Sequence, residues 1–284
     1  MVGTGRVPIY ALYLALLAAT VLLGLSLAQS FGGYVVLAVD RAKPAHLGRR
    51  ELATYVREAT ARALFVSLTP LRWRKPAVPT HTGERPPVVL LADAPVHGGA
   101  LVFLQSFLEG RGYTTWRLDL RDRSASLAEK AERLAEAVER VARQSNHTQV
   151  DLVAHGVGGV VAAWYLARLD GVNHCRRLIT LGTPFRGTRM AVFGRHRHSQ
   201  EILHGNPILA GLTPVSVPTA CVWSSDDPVV VPSESGLADQ AESIRVDAAG
   251  HVEMLTSARI FRAVDDALSK PLPPRATPAQ PSGK

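Results

Sequence analysis

The chain has 284 residues, of which 46% are apolar and 20% carry a charge, so it is long and apolar enough to bury a large core. Two cysteines are too few to define a disulfide framework or a metal site, and we expect neither a cofactor nor a metal ion. Residues 1–86 hold 11 Lys or Arg against 4 Asp or Glu, whereas residues 87–284 hold 21 against 20. The basic segment is not interleaved with aromatic side chains, so we expect no nucleic-acid partner.

The N-terminal segment has the composition of a membrane anchor. No charged residue occurs between Arg6 and Asp40, and residues 7–28 are long and apolar enough to cross a bilayer as one helix. We therefore predict a single-pass anchor over residues 1–40. A cleaved signal peptide is the alternative, because residues 26–28 offer a small-residue cleavage site; the length of the apolar stretch favours an uncleaved anchor.

The side of the membrane stays open. More basic residues follow the span than precede it, which favours a cytoplasmic location for the carboxyl-terminal side; those that follow are Arg41, Lys43, Arg49 and Arg50. This juxtamembrane charge also favours contact with anionic headgroups. If Phe31-Gly32-Gly33 is the turn of a re-entrant hairpin, the orientation argument fails.

Residues 41–85 are predicted to be a juxtamembrane helix, over 51–71, followed by a Pro-containing linker. Residues 86–269 are predicted to form the globular domain. The Pro-, Ala- and Ser-rich tail, residues 270–284, is predicted to be disordered.

The most informative motif is VAHGVGG at residues 153–159. It follows a predicted strand over 149–154 and precedes a predicted helix over 157–170. This is the setting of a nucleophile elbow, in which a strand turns sharply into a helix and only small residues fit beside a strained serine. The position that should hold the serine holds Gly156, which adopts a positive φ without strain.

Further motifs extend the pattern over residues 86–268. Together they resemble the bacterial lipase/esterase branch of the α/β-hydrolase superfamily; they are the strand at 87–92, Gly112-Tyr113, TLGTPFRGT at 180–188, SSDDPVVVP at 224–232 and Gly250-His251. The resemblance implies an α/β-hydrolase fold, a mostly parallel sheet with helices on both faces, and a cap-like insertion at about 186–212. It also implies the chain order nucleophile, acid, histidine.

Carried over onto this chain, the resemblance assigns the nucleophile position to Gly156 and the catalytic histidine to His251, between a strand predicted at 243–246 and a helix predicted at 252–268. The acid is Asp227, with Asp226 as second choice.

The oxyanion region also departs from the family. The strand-end His-Gly that shapes the oxyanion hole is replaced by Asp93-Ala94, and the imidazole expected after Thr-Pro is replaced by Phe185. The backbone N–H of Val157 is the oxyanion donor that the resemblance retains. A carboxylate at Asp93, if it points at the oxyanion position, would oppose the negative charge that such sites stabilise.

We therefore predict a pseudohydrolase anchored in the bacterial inner membrane. Its retained role would be binding of an acyl or lipid ligand, or of a protein partner that the sequence does not identify. The alternative is an active carboxylic-ester hydrolase with a substitute mechanism, in which His251 and Asp227 activate water.

Overall fold

The computed structural model describes residues 9–41, 48–67, 84–92, 95–120, 122 and 124–272. Six strands form one sheet in the order β2-β1-β3-β4-β5-β6, and every neighbouring pair is parallel. The strands are β1 (Val88–Ala92), β2 (Thr115–Asp119), β3 (Val150–His155), β4 (Cys175–Leu181), β5 (Thr219–Trp223) and β6 (Glu242–Arg245).

Helices cover both faces of the sheet, as parallel strands require crossover connections. The helices are α1 (Ile9–Asp40), α2 (Arg49–Ser67), α3 (Pro95–Glu109), α4 (Leu127–Ser145), α5 (Val157–Arg168), α6 (Gly171–His174), α7 (Pro207–Ala210) and α8 (Ala258–Ser269). One apolar core lies between the sheet and α4 with α5. The other lies between the sheet and α3 with α8, and it includes Ala61 and Phe65 of α2. The helix that the sequence placed outside the α/β domain is thus packed into its second layer.

The helix α1 is continuous from Ile9 to Asp40 and is longer than the predicted 7–28 span. The hairpin interpretation of residues 31–33 is therefore wrong, because these residues lie within the helix. Its segment Leu16–Asp40 is long and apolar enough to cross a bilayer.

The carboxyl-terminal half of α1 packs on the rest of the protein. Ser26, Ser30, Gly33 and Leu37 are buried, and their spacing of three or four residues puts them on one helix face. The Tyr55 hydroxyl of α2 donates to the Leu27 carbonyl at 2.8 Å. A Cβ on Gly33 would lie 2.8 Å from the carbonyl oxygen of Pro228, so only glycine allows this approach.

The helix predicted at 252–268 is interrupted. A short 3₁₀ turn, Glu253–Leu255, follows His251, and α8 begins only after Ser257, whose backbone is extended. The interruption lets the loop before α8 turn back over the carboxyl end of the sheet. The predicted linker lies mostly outside the described residues, as does most of the predicted disordered tail.

Candidate functional site

Gly156 forms the sharp turn between β3 and α5. Its φ of 59° and ψ of −131° lie in a region that is almost restricted to glycine. The turn is held on both sides, because the Gly156 N–H donates to the Leu181 carbonyl at 2.9 Å and the Thr183 hydroxyl donates to the Gly156 carbonyl at 3.0 Å. The backbone at Gly156 therefore makes the sharp strand-to-helix turn that the sequence predicted.

The two glycines that follow explain why the motif requires small residues. A Cβ on Gly158 would lie 3.0 Å from the Leu91 carbonyl oxygen of β1. A Cβ on Gly159 would lie 2.0 Å from the Thr183 hydroxyl oxygen. Both close approaches let α5 pack directly against the sheet beside Gly156.

Asp227 and His251 form a buried pair at the carboxyl end of the sheet. The Asp227 Oδ2 lies 2.8 Å from the His251 Nδ1, and both side chains are almost fully buried. The other oxygen, Oδ1, accepts the backbone N–H groups of Val229 and Val230. Burial alone would raise the pKa of the Asp227 carboxyl, but His251 and these N–H donors hold the pKa below its usual value.

Asp226, the second choice for the acid, has a different environment. Its Oδ2 accepts the backbone N–H of Ala248 at 2.8 Å, and its carboxylate lies 3.6 to 3.7 Å from Arg41 and Arg50. The structure thus brings Asp227, not Asp226, to His251.

The other ring nitrogen of His251 lies beside Gly156. An ideal Cβ on Gly156 would be 3.2 Å from the His251 Nε2. A serine hydroxyl at residue 156 would therefore be within hydrogen-bond reach of this nitrogen. The structure thus brings Gly156, His251 and Asp227 together.

A second histidine, His155, contacts His251. The His155 Nε2 hydrogen-bonds the backbone carbonyl of His251 at 3.0 Å, and the two ring centroids are 4.5 Å apart. Burial, with the nearby His251 ring, lowers the pKa of His155 to about 3. No sequence pattern indicated a role for His155, although it stands in the elbow motif immediately before Gly156.

Glu58 of α2 is a further residue at the site that the sequence did not indicate. Its carboxylate is fully buried, and Oε2 accepts the backbone N–H groups of Val252 at 2.8 Å and Glu253 at 3.0 Å. Arg62, one helical turn later, donates to its other oxygen. Because Val252 directly follows His251, α2 holds the loop that carries the histidine.

The other predicted site residues are those of the oxyanion region and Phe185. Val157 is the first residue of α5, where a backbone N–H has no intrahelical acceptor and can serve a ligand. Phe185 is buried in the core beneath α4 and α5. Asp93 and Ala94 lie outside the described residues. No group of three His, Cys, Asp or Glu side chains within the described ranges could hold a metal ion.

No protein-family profile matches the chain. Its structure is similar to that of Aspergillus fumigatus lipase B, with a TM-score of 0.59 and 16% identity over 69% of this chain and 56% of the lipase. It is also similar to the mature Bacillus licheniformis lipase BlEst2, with a TM-score of 0.58 and 14% identity over 66% of this chain and 94% of that one.

An alpha/beta hydrolase fold protein from Burkholderia ambifaria matches with a TM-score of 0.50 and 19% identity, over 65% of this chain and 91% of that protein. At these identities the likeness establishes the fold alone. The predicted α/β-hydrolase fold, with an apolar helix at the N-terminus, is confirmed.

Proposed function

We propose that this chain is a membrane-anchored, lipase- or esterase-like pseudohydrolase that binds a ligand or partner at a site no longer equipped for nucleophilic catalysis. One observation carries the proposal: Gly156 keeps the elbow backbone and lies beside the His251 Nε2, yet it supplies no hydroxyl. The site is intact around a missing nucleophile.

The expected loss of catalytic rate without a nucleophile supports a binding role. Removing the serine of a serine hydrolase lowers turnover by about 10⁶-fold. A substitute mechanism, in which His251 and Asp227 deprotonate a water molecule, recovers only about 10² to 10⁴-fold. The turnover of such a site would therefore stay far below that of an ordinary esterase.

The ligand class follows from what remains at the position. The His251 Nε2 faces Gly156, at 3.2 Å from an ideal Cβ there. The Val157 N–H at the start of α5 is available to an acceptor, as at other helix N-termini. A polar head group would accept the Val157 N–H, and the resemblance to lipases favours an acyl or lipid ligand over other small molecules.

The active-hydrolase alternative also has one specific observation in its favour. The 2.8 Å contact between His251 and Asp227 is intact and would orient the imidazole as a general base.

Hydrolysis of short- and long-chain p-nitrophenyl esters by the purified full chain separates the two proposals. We expect the wild-type rate to equal that of a His251→Ala variant, because a site without a nucleophile gains little from the histidine. A wild-type rate that falls tenfold or more in the His251→Ala variant would refute the pseudohydrolase and favour water activation.

We propose further that α1 is an uncleaved anchor. Cleavage after Ala28 would remove the Leu27 carbonyl that accepts the Tyr55 hydroxyl and would delete buried Ser26 from the interface with α2. A signal peptide does not require such packing. The chain should therefore remain in the membrane pellet after carbonate and high-salt washing, since apolar insertion is insensitive to screening. A soluble mature chain that begins at Gln29 would contradict this proposal.

A further inference from the structure

The helix α1 is longer than a bilayer is thick. Its 32 residues extend over about 48 Å, whereas the hydrocarbon core measures about 30 Å and takes about 20 helical residues. Residues 26–37 pack on the rest of the protein, and just beyond them Asp226 pairs with Arg41 and Arg50. Because such charged groups stay out of hydrocarbon, the bilayer span is the amino-terminal half of α1, and the packed half stands in water.

The packed half of α1 leaves its other side uncovered. Phe31 is 53% exposed, Val35 is 41% exposed and Val39 is 73% exposed. Their four-residue spacing puts the three side chains on one side of the helix, where bilayer lipids do not reach them. A row of large apolar side chains in water indicates a surface that a partner covers.

This apolar side continues into the bilayer span. Exposed residues recur along α1 at alternating spacings of four and three residues, the heptad pattern of a coiled-coil seam. We call these residues the outer face; they are Tyr10, Leu14, Leu17, Val21, Gly24, Ala28, Phe31 and Val35. In the heptad register Val21 and Val35 take a positions, where β-branched residues favour two parallel strands. The residues that pack on the domain lie on the opposite side of the helix.

Two glycines on this side of α1 have no role within the chain's own fold. Gly33 is required by its contact with Pro228, but a Cβ on Gly24 or Gly32 would have no atom from elsewhere in the described chain within 4 Å. Glycine inside a helix costs about 1 kcal/mol relative to alanine. Gly24, Ala28 and Gly32 follow one another at four-residue spacing, the arrangement that lets two membrane helices approach closely.

The outer face carries no charge that a partner would have to neutralise. No charged residue occurs between Arg6 and Asp40. At the carboxyl-terminal end of α1, Asp40 pairs with Arg189, and Arg41 pairs with Asp226. Both charges are thus held on the domain side. Two copies anchored in one membrane point in the same direction, so their outer faces can meet in parallel without burying a charge.

We propose that α1 pairs in parallel with α1 of a second copy of this chain, along the outer face. The proposal rests on the uncleaved anchor proposed above. The partner must continue from hydrocarbon into water, because lipid covers only the first half of the face and a water-soluble protein only the second. A second copy of α1 meets this requirement and matches the heptad register. The two α/β domains then lie on opposite sides of the helix pair.

Oxidative cross-linking at a single cysteine tests this proposal. The chain's own cysteines, Cys175 and Cys221, are buried, so Ala28→Cys is the reactive position on the outer face. Gln29→Cys is the matched control, since Gln29 is the next residue, is also exposed, and lies about 100° around the helix. Each full-length variant is expressed in one membrane with two different epitope tags, oxidised with copper phenanthroline and analysed on non-reducing gels.

We expect Ala28→Cys to give a dimer that carries both tags, at least about fivefold more than Gln29→Cys, since a disulfide needs Cα atoms within about 7 Å. Adding Gly32→Leu should reduce this cross-link at least about fivefold, because the larger side chain separates the two helices. The same side chain meets open space in the chain's own fold. Ala19→Leu, exposed and about 180° from Ala28, should leave the cross-link unchanged.

Flotation of the membranes separates failure of the pairing from failure of the anchor. If the chain floats with the membranes but cross-links equally at residues 28 and 29, the pairing is wrong and the anchor stands. The same holds if no cross-linked product carries both tags, which would assign the outer face to lipid or to another protein. A chain that does not float would refute the anchor and the pairing together.

Discussion

In an active hydrolase, the residue at the elbow must carry a nucleophilic side chain and also adopt a strained backbone conformation. An elbow needs a backbone conformation that costs a side-chain-bearing residue about 1–3 kcal/mol, and function is what normally retains it. Glycine adopts φ 59°, ψ −131° without this cost. In the proposed pseudohydrolase, glycine at residue 156 removes the nucleophile and relaxes the turn in one step.

Gly156→Ser should consequently lower the free energy of unfolding by about 1–3 kcal/mol. The new Cβ also lies 3.2 Å from the His251 Nε2, so crowding adds to strain. Denaturant titration of Gly156→Ser in the wild-type and His251→Ala backgrounds separates crowding from backbone strain. Removing the His251 ring relieves the crowding, so any destabilisation that remains is due to backbone strain. An unchanged unfolding curve for the single variant would show that residue 156 is not strained.

His155 makes the stability of the fold depend on pH. Its pKa is about 3 in the folded chain and 6.5 in the unfolded chain, so unfolding takes up a proton between these values and stability falls as pH decreases through this window. At pH 5 the loss relative to pH 7.5 is about 2 kcal/mol. The pKa of Asp227 is lowered in the folded chain, and its ordinary value already lies below pH 5, so Asp227 adds little to this difference.

Replacing His155 by a neutral hydrogen-bond donor should remove this dependence of stability on pH. In His155→Gln the amide can still donate to the His251 carbonyl but does not ionise. Denaturant unfolding of both proteins is measured at pH 7.5 and at pH 5. Between these two pH values, we expect the wild type to lose about 2 kcal/mol more unfolding free energy than the variant. Equal pH dependence of the two proteins would show that His155 is protonated as easily in the folded chain as in the unfolded one.

The helix α2 acts as part of the candidate site although it precedes the α/β core. Its Glu58 accepts the two backbone N–H groups that follow His251, and its Arg57 donates to Glu253 and to the Ala248 carbonyl. These contacts fix both sides of the histidine loop.

Glu58→Ala should therefore destabilise the chain by about 2–4 kcal/mol, since it leaves two buried N–H donors unsatisfied and removes the partner of Arg62. Glu51→Ala, at an exposed position of the same helix, should change stability by less than about 0.5 kcal/mol. Thermal or denaturant unfolding in a mild detergent measures both. If the two variants were equally stable, α2 would not support the histidine loop.

The contrast between Gly156 and Glu58 shows what sequence can and cannot predict here. Gly156, Asp227 and His251 lie in local motifs whose glycines and turns have a steric meaning, so their order along the chain is enough to indicate one site. Glu58 lies on a helix in which six of 19 residues are charged, where a carboxylate is expected in solvent. Its burial depends on a loop almost 200 residues away, which no local pattern encodes.

The same limit applies to α1. Gly32 and Gly33 suggested a turn because glycine weakens helices. The helix continues because tertiary packing outweighs propensity: Gly33 is the position at which α1 meets the Pro228 carbonyl. The choice between Asp226 and Asp227 likewise depended on side-chain direction, which the adjacent letters of the sequence do not show.

Within the residues that the structure describes, α1 and α2 pack directly on the α/β domain. α1 contacts the segment after Asp227, α2 holds the loop after His251, and Arg189 pairs with Asp40 at the end of α1. A hydrolase fold built in this way against an apolar helix keeps its site close to that helix. What the site does there depends on whether it retains any nucleophile.

Labelling with a fluorophosphonate probe tests that point most directly. We predict no covalent label on the wild-type chain, a label that peptide mapping places on residue 156 in Gly156→Ser, and none in Gly156→Ser with His251→Ala. The second and third results would show that the elbow and His251 are correctly placed and that only the hydroxyl is missing. Stoichiometric, His251-dependent labelling of the wild-type chain on another serine or threonine would contradict the account and establish an active hydrolase.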